Sequence, residues 1–105
     1  MVTVETFRQM ALSLPGVIEL PHFDRASFRV NKKIFATMKE KDNIAVLMFS
    51  PIQQSVFCAF DKTIIYPVPG GWGRQGSTIF ELGKIKKTMM KDALSVVYNG
   101  IVATN

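Results

Sequence analysis

Three segments between residues 26 and 50 restrict the fold more than any other feature, because they alternate as strands do and their connections are short. In residues 26–30, Phe28 and Val30 alternate with Ser27 and Arg29. In residues 34–39, Ile34, Ala36 and Met38 alternate with Phe35 and Thr37, and residues 44–50 add a third apolar run. Residues 31–33 and 40–43 are polar links of hairpin length, whereas a parallel crossover needs about a dozen residues or more. The strands must therefore be antiparallel neighbours.

The rest of the chain supplies partners for this sheet. Thr3 is placed to cap a helix running to about Leu14, with Val4, Phe7, Met10, Ala11 and Leu14 on one face and Pro15-Gly16 as its stop. Residues 17–20 form a further strand candidate. Ser50-Pro51 has the order of a helix start, and Ile52, Val56, Phe57 and Phe60 then recur on one face. Residues 63–68 and 78–82 read as two strands of a hairpin with a long tip. From about Ile85, residues Met89, Met90, Ala93, Leu94, Val97 and Ile101 form the apolar stripe of a terminal helix. The order α-β-β-β-β-α-β-β-α predicts one α+β domain over residues 1–105, an antiparallel sheet with helices packed on it.

The long tip is unusual. Residues 66–77, YPVPGGWGRQGS, crowd four glycines, two prolines, the single tryptophan and an arginine into twelve positions. Glycine supplies backbone angles closed to other residues and proline stiffens the approach, so the segment is a shaped loop holding Trp72, Arg74 and Gln75 in place. Its GWGRQG portion matches the dinucleotide pattern G-x-G-x-x-G, but a β-prone Thr78-Ile79-Phe80 follows where a helix would have to open. Nucleotide-cofactor binding is therefore not expected. Two readings of the loop remain open: Trp72 folds back to cap the sheet, or Trp72 and Arg74 face a ligand, a nucleobase through stacking or a phosphate through the guanidinium fork.

With 105 residues, of which 48% are hydrophobic and 20% charged, the chain has the balance of a globular domain that buries roughly 60–70% of its unfolded surface. No apolar run is long enough to span a membrane, and the N-terminal residues lack the pattern of a secretion signal, so a cytoplasmic protein is expected. A monomer is expected too. The lone Cys58 excludes an internal disulfide and sits among apolar neighbours as a small core residue. One histidine and one cysteine exclude the usual zinc sets, and His22 has no identifiable nucleophile partner, so no catalytic residue, metal or cofactor is assigned.

The net charge is +5, and its excess is C-terminal: residues 62–105 hold six Lys/Arg against two acids, giving +4. Lys84, Lys86 and Lys87 crowd the start of the last helix, where the macrodipole disfavours cations, and Lys91 follows one turn later. Such lysines either keep a helix start soluble or form a phosphate cradle. Arg29, Lys32 and Lys33 widen the same surface if their hairpin lies nearby.

Three stretches, PGVIELPHFDRASFRVNKKIFATM, YPVPGGWGRQGST and the closing helix, together resemble the MmcQ/YjbR family of small bacterial proteins over nearly the whole chain. The W-G-R-Q-G loop at residues 72–76 and the F-R-V…K-I-F-A-T pair at residues 28–37 are the most specific parts. The resemblance implies a fold similar to secretion chaperones and to a double-wing DNA-binding arrangement, and proteins of this kind are commonly labelled DNA-binding on that similarity. It supplies no catalytic residues. Where relatives often open the last helix with acids, this chain has Lys86 and Lys87. The resulting expectation is a non-enzymatic DNA-binding domain in which Lys84, Lys86, Lys87 and Lys91 contact phosphates while Trp72 and Arg74 stack and fork, with Arg29, Lys32 and Lys33 beside them. A protein-interaction or chaperone-like module is the alternative, and a small-molecule binder the third.

Overall fold

The computed structural model describes residues 1–103. Its elements are α1 (Val4–Leu12), β1 (Ile18–His22), β2 (Arg25–Val30), β3 (Lys33–Lys39), a 3-10 turn (Glu40–Asp42), β4 (Ile44–Met48), α2 (Pro51–Cys58), β5 (Ile65–Pro67), α3 (Gly71–Arg74), β6 (Ser77–Glu81) and α4 (Lys87–Val102). The strands form one antiparallel sheet in the order β1-β2-β3-β4-β6-β5. The α+β order expected from the sequence is therefore present, with one helical turn, α3, added inside the glycine loop.

Local chemistry sets these boundaries. Thr3 caps α1 by accepting from the Thr6 N–H at 3.0 Å. Ser50 and Gln53 form a reciprocal capping box ahead of Pro51, which starts α2. Asn31 and Lys32 take φ values of 52° and 67°, the paired left-handed angles of a tight hairpin turn, and Asn43 ends the 3-10 turn at 56°. Pro21 and Pro67 both fall in edge strands, where a missing N–H costs no ladder bond.

Alternation divides the sheet into two faces. The register aligns Phe28, Ala36 and Leu47 in one row and Met38, Ala45, Phe80 and Ile65 in the next, all buried. These rows meet α1 and α4: the Phe7 ring stands edge-on to Phe28 at 5.6 Å, and Tyr98 of α4 stands edge-on to Phe35 at 6.1 Å. An irregularity after Phe28 shifts the β2–β3 register so that Arg29 faces Ile34, leaving Phe35 free to turn into this core. Glu19 also points to the helical side, where Arg8 of α1 donates to both its oxygens at 3.1 and 3.2 Å.

The other face carries the row Leu20, Ser27, Thr37, Val46, Ile79 and Tyr66, read across all six strands. Of the four helices only α3 borders it. In α2 the expected single apolar face is split. Phe57 and Cys58 pack toward the core, with Phe57 stacked on Phe49 at 4.9 Å, while Ile52, Val56 and Phe60 are 79%, 66% and 57% exposed. The helix is short and packs near the edge strand β5, so among the described residues nothing covers the side of α2 away from the sheet.

Candidate functional site

The glycine loop owes its shape to close backbone approaches. Its neck closes through the Val68 N–H donating to the Ser77 carbonyl at 3.0 Å. Gly70 takes φ 85° and ψ −155°, a combination open essentially to glycine, and turns the chain into the single turn α3. A Cβ on Gly73 would lie 1.7 Å from the Val68 carbonyl oxygen, and one on Gly76, at φ 119°, would lie 1.8 Å from that of Phe49. The side-chain amide of Gln54 in α2 then donates to the carbonyls of Gly73 and Ser77 at 2.8 and 3.1 Å. Trp72, fixed in this way, is 71% exposed, so it does not fold back into the sheet.

Trp72 forms one border of a cleft of about 510 Å³ over the open face of the sheet. Thr37, Val46, Met48 and Ser77 line its floor, and the β1–β2 turn, carrying His22, Phe23 and Asp24, forms the far border. Arg25 reaches over the floor, its Nη1 donating to the Thr37 hydroxyl at 3.3 Å and its Nε lying 3.6 Å from Asp24. Arg29, farther along β2, donates through Nε to the Ser27 hydroxyl at 3.1 Å, and Ser27 in turn donates to the Leu20 carbonyl. The Arg74 side chain is exposed and its guanidinium lies close to Gly71.

The titratable groups near the cleft are biased by hydrogen bonding. Lys39 donates to Asp24 at 3.2 Å and to Asp42 at 3.1 Å, which holds the Asp24 carboxyl below its ordinary value. Tyr66, on the same face, donates a short hydrogen bond to Glu81; that bond and partial burial push its phenol up to about 12. Burial pushes the half-buried Cys58 thiol up, which makes it less reactive. No group of three metal-ligating side chains occurs among the described residues.

The residues singled out in the sequence fall into two groups. Trp72, Arg74 and Gln75 lie in α3 and its cap, and Arg29 projects from the same open face of the sheet. Lys32 and Lys33 are exposed at the β2–β3 turn, on the end of the sheet where β6 begins. Lys84, Lys86 and Lys87 lie at the opposite end. Helix α4 begins only at Lys87, with Lys86 as an N-cap that offers no side-chain bond and Lys84 in the preceding turn. Lys87 and Lys91 line a separate groove of about 300 Å³ between α1 and α4, with Gln9, Ser13 and Ser95. Lys87 and Lys91 lie behind the sheet from Trp72, and Lys84 and Lys86 follow the far end of β6, so the lysines and Trp72 do not form one surface.

The cleft residues Phe23, Arg25, Thr37 and Met48, and Gln54, which holds the loop, carried no functional reading in the sequence. Phe23 alone left a signal, an aromatic residue in the middle of a two-residue turn where glycine, asparagine or aspartate is favoured.

No helix among the described residues is long and apolar enough to cross a membrane. No family model matches the chain, and no curated protein is detectably similar to it. Among solved structures, the fold matches the Deinococcus radiodurans protein DR2400, which carries a domain of the DUF419 family model, with a TM-score of 0.80. The match covers 96% of this chain and 79% of that chain at 17% sequence identity. What the two proteins share, at that identity, is the antiparallel sheet with its packed helices.

Proposed function

We propose that this chain is a non-enzymatic nucleic-acid-binding domain of the MmcQ/YjbR type, a cytoplasmic monomer that engages DNA through the open face of its sheet rather than through its last helix. The observation that carries this reading is Trp72, 71% exposed at the border of a cleft and followed by the Arg74 guanidinium, which makes no ion pair among the described residues. All five ion pairs among the described residues are made by Arg8, Arg25 and Lys39, which leaves Arg29, Lys32, Lys33 and Arg74 available to phosphates on this side. The family reading rests on the W-G-R-Q-G loop, whose glycines have the backbone roles described above. DNA titration at several salt concentrations tests the proposal. Trp72→Ala should weaken binding by about 1–3 kcal/mol, and Arg74→Ala should lower the salt slope by about 1. Lys86→Glu with Lys87→Glu should leave binding nearly unchanged. Absence of binding at low salt refutes the proposal.

The stripe of Ile52, Val56 and Phe60 favours a second reading, a protein-interaction module. Ile52 and Val56 lie on α2, which has no charged side chain, and Phe60 lies in the turn just after it, an arrangement suited to an apolar partner. Binding by this route would be insensitive to salt and abolished by Val56→Asp.

A further inference from the structure

Phe23 is the most exposed large apolar side chain of the cleft, at 95%, and it holds φ at 58°, a value rare for a bulky residue. It is the first residue of a two-residue turn closed by the His22–Arg25 pair. The half-buried His22 ring packs edge-on against it at 4.8 Å, giving the exposed ring a fixed support. An exposed aromatic kept at an unfavourable backbone angle contributes little to this fold, which points to a role in recognition. Both Phe23 and Trp72 line the same cleft.

Their spacing identifies the kind of ligand. Phe23 immediately precedes β2 and Trp72 precedes β6, strands three intervals apart in the sheet order, about 14 Å sideways at the usual strand separation. The register sets the start of β2 level with the end of β6, so the two residues also stand at opposite ends of these strands and their backbones are farther apart than that. A single base clamped between two rings needs about 7 Å, twice the stacking distance of nucleic-acid bases. The two rings therefore cannot sandwich one base; each can stack a different base of one strand. Between them the floor offers the hydroxyls of Thr37 and Ser77 beside the apolar Val46 and Met48, a mixture suited to base edges and faces. Arg25, Arg29 and Arg74 supply cations around it, while the Asp24 carboxylate is engaged by Lys39 and Arg25. A duplex keeps its bases stacked on one another and cannot offer their faces to these rings.

We infer that the cleft between Phe23 and Trp72 binds single-stranded nucleic acid, with the two rings as separate stacking platforms for different unpaired bases. This rests on the nucleic-acid reading of the same face. Trp72 is the only tryptophan, so intrinsic fluorescence reports the site directly. The experiment titrates the protein with a short oligothymidylate, an abasic strand of equal length and charge, and a duplex of equal length. Phe23→Asn is the paired variant, because asparagine tolerates the positive φ and removes the ring. Oligothymidylate is expected to quench Trp72 and to bind at least about tenfold tighter than the abasic strand or the duplex. Phe23→Asn should lower oligothymidylate affinity about tenfold while leaving duplex affinity and the melting temperature unchanged or the latter raised. If oligothymidylate and the abasic strand bind alike and Phe23→Asn changes neither, the stacking inference is overturned while polyanion binding on this face stands. If no strand binds at low salt, both fail.

Discussion

The Gln54 carboxamide donates to the Gly73 carbonyl at 2.8 Å, fastening α2 to the turn that carries Trp72. Because the same amide also reaches the Ser77 carbonyl, a single side chain ties both the middle of the glycine segment and the strand residue that follows it to a helix. Removing it leaves two backbone carbonyls without this donor. Gln54→Ala is expected to cost about 1–2 kcal/mol in a urea melt, and the fluorescence anisotropy of Trp72 should fall as the turn loosens. A melt within error of the native protein would show that the loop is held by its glycines alone.

Glycine substitutions should rank by backbone proximity. Gly70→Ala meets no atom within 4 Å and suffers only from its angles, about 1–3 kcal/mol. Gly76→Ala combines a positive φ with a carbonyl oxygen 1.8 Å from the new Cβ, so it should cost more, about 4 kcal/mol or above. Thermal unfolding of the two variants gives the order directly.

Stability should fall in alkali because of Tyr66. Its phenol is pushed up to about 12 in the folded chain, against about 10 when unfolded. The unfolded state therefore loses its proton first, and the contribution of Tyr66 is complete below about pH 10 and lost as pH rises toward 12. Phenolate absorbance should show a late-titrating tyrosine. In Tyr66→Phe that titration should vanish, together with its part of the alkaline decline.

At acid pH the sign reverses for Asp24. Lys39 holds its carboxyl below the ordinary value, so its contribution is present above the unfolded pKa and disappears as pH falls through the folded one. Carboxyl NMR titration of Lys39→Met should show Asp24 moving up toward the usual range. An unmoved Asp24 would assign its shift to Arg25 or to its own backbone.

The two sides of α2 should respond oppositely to substitution. Val56→Lys places a charge on an exposed position and should change stability by less than about 0.5 kcal/mol. Phe57→Ala removes a ring stacked on Phe49 and should cost about 3 kcal/mol. Equal effects in a denaturant melt would mean that the exposed stripe is covered in solution.

Much of the fold was legible because its signals are local. Period-two alternation in β2 and β3, hairpin-length links, the Ser50-Pro51 helix start and the stripe of α4 each depend on residues a few positions apart. The helical turn α3 escaped notice because glycine and proline are read as breakers, and here the angle at Gly70 and the Gln54 bonds from another helix make the turn possible. In α2 the apolar residues did not share one face: Phe57 turns to the core while Ile52, Val56 and Phe60 stay exposed, and periodicity cannot report which side another element covers.

The site was legible only in part, for a related reason. Trp72 and Arg74 announced themselves through the composition of their loop, and Lys87 and Lys91 through helical spacing. By itself the sequence determined the antiparallel sheet, the amphipathic helices and a loop shaped to present Trp72, since short-range sterics and hydrophobic alternation suffice for each. Only the tertiary structure decided which cations stand beside that ring. Alternate residues of a strand point to opposite faces, and α4 covers one of them, so Arg25, Arg29 and Phe23 come to the indole's side while Lys87 and Lys91 lie behind the sheet.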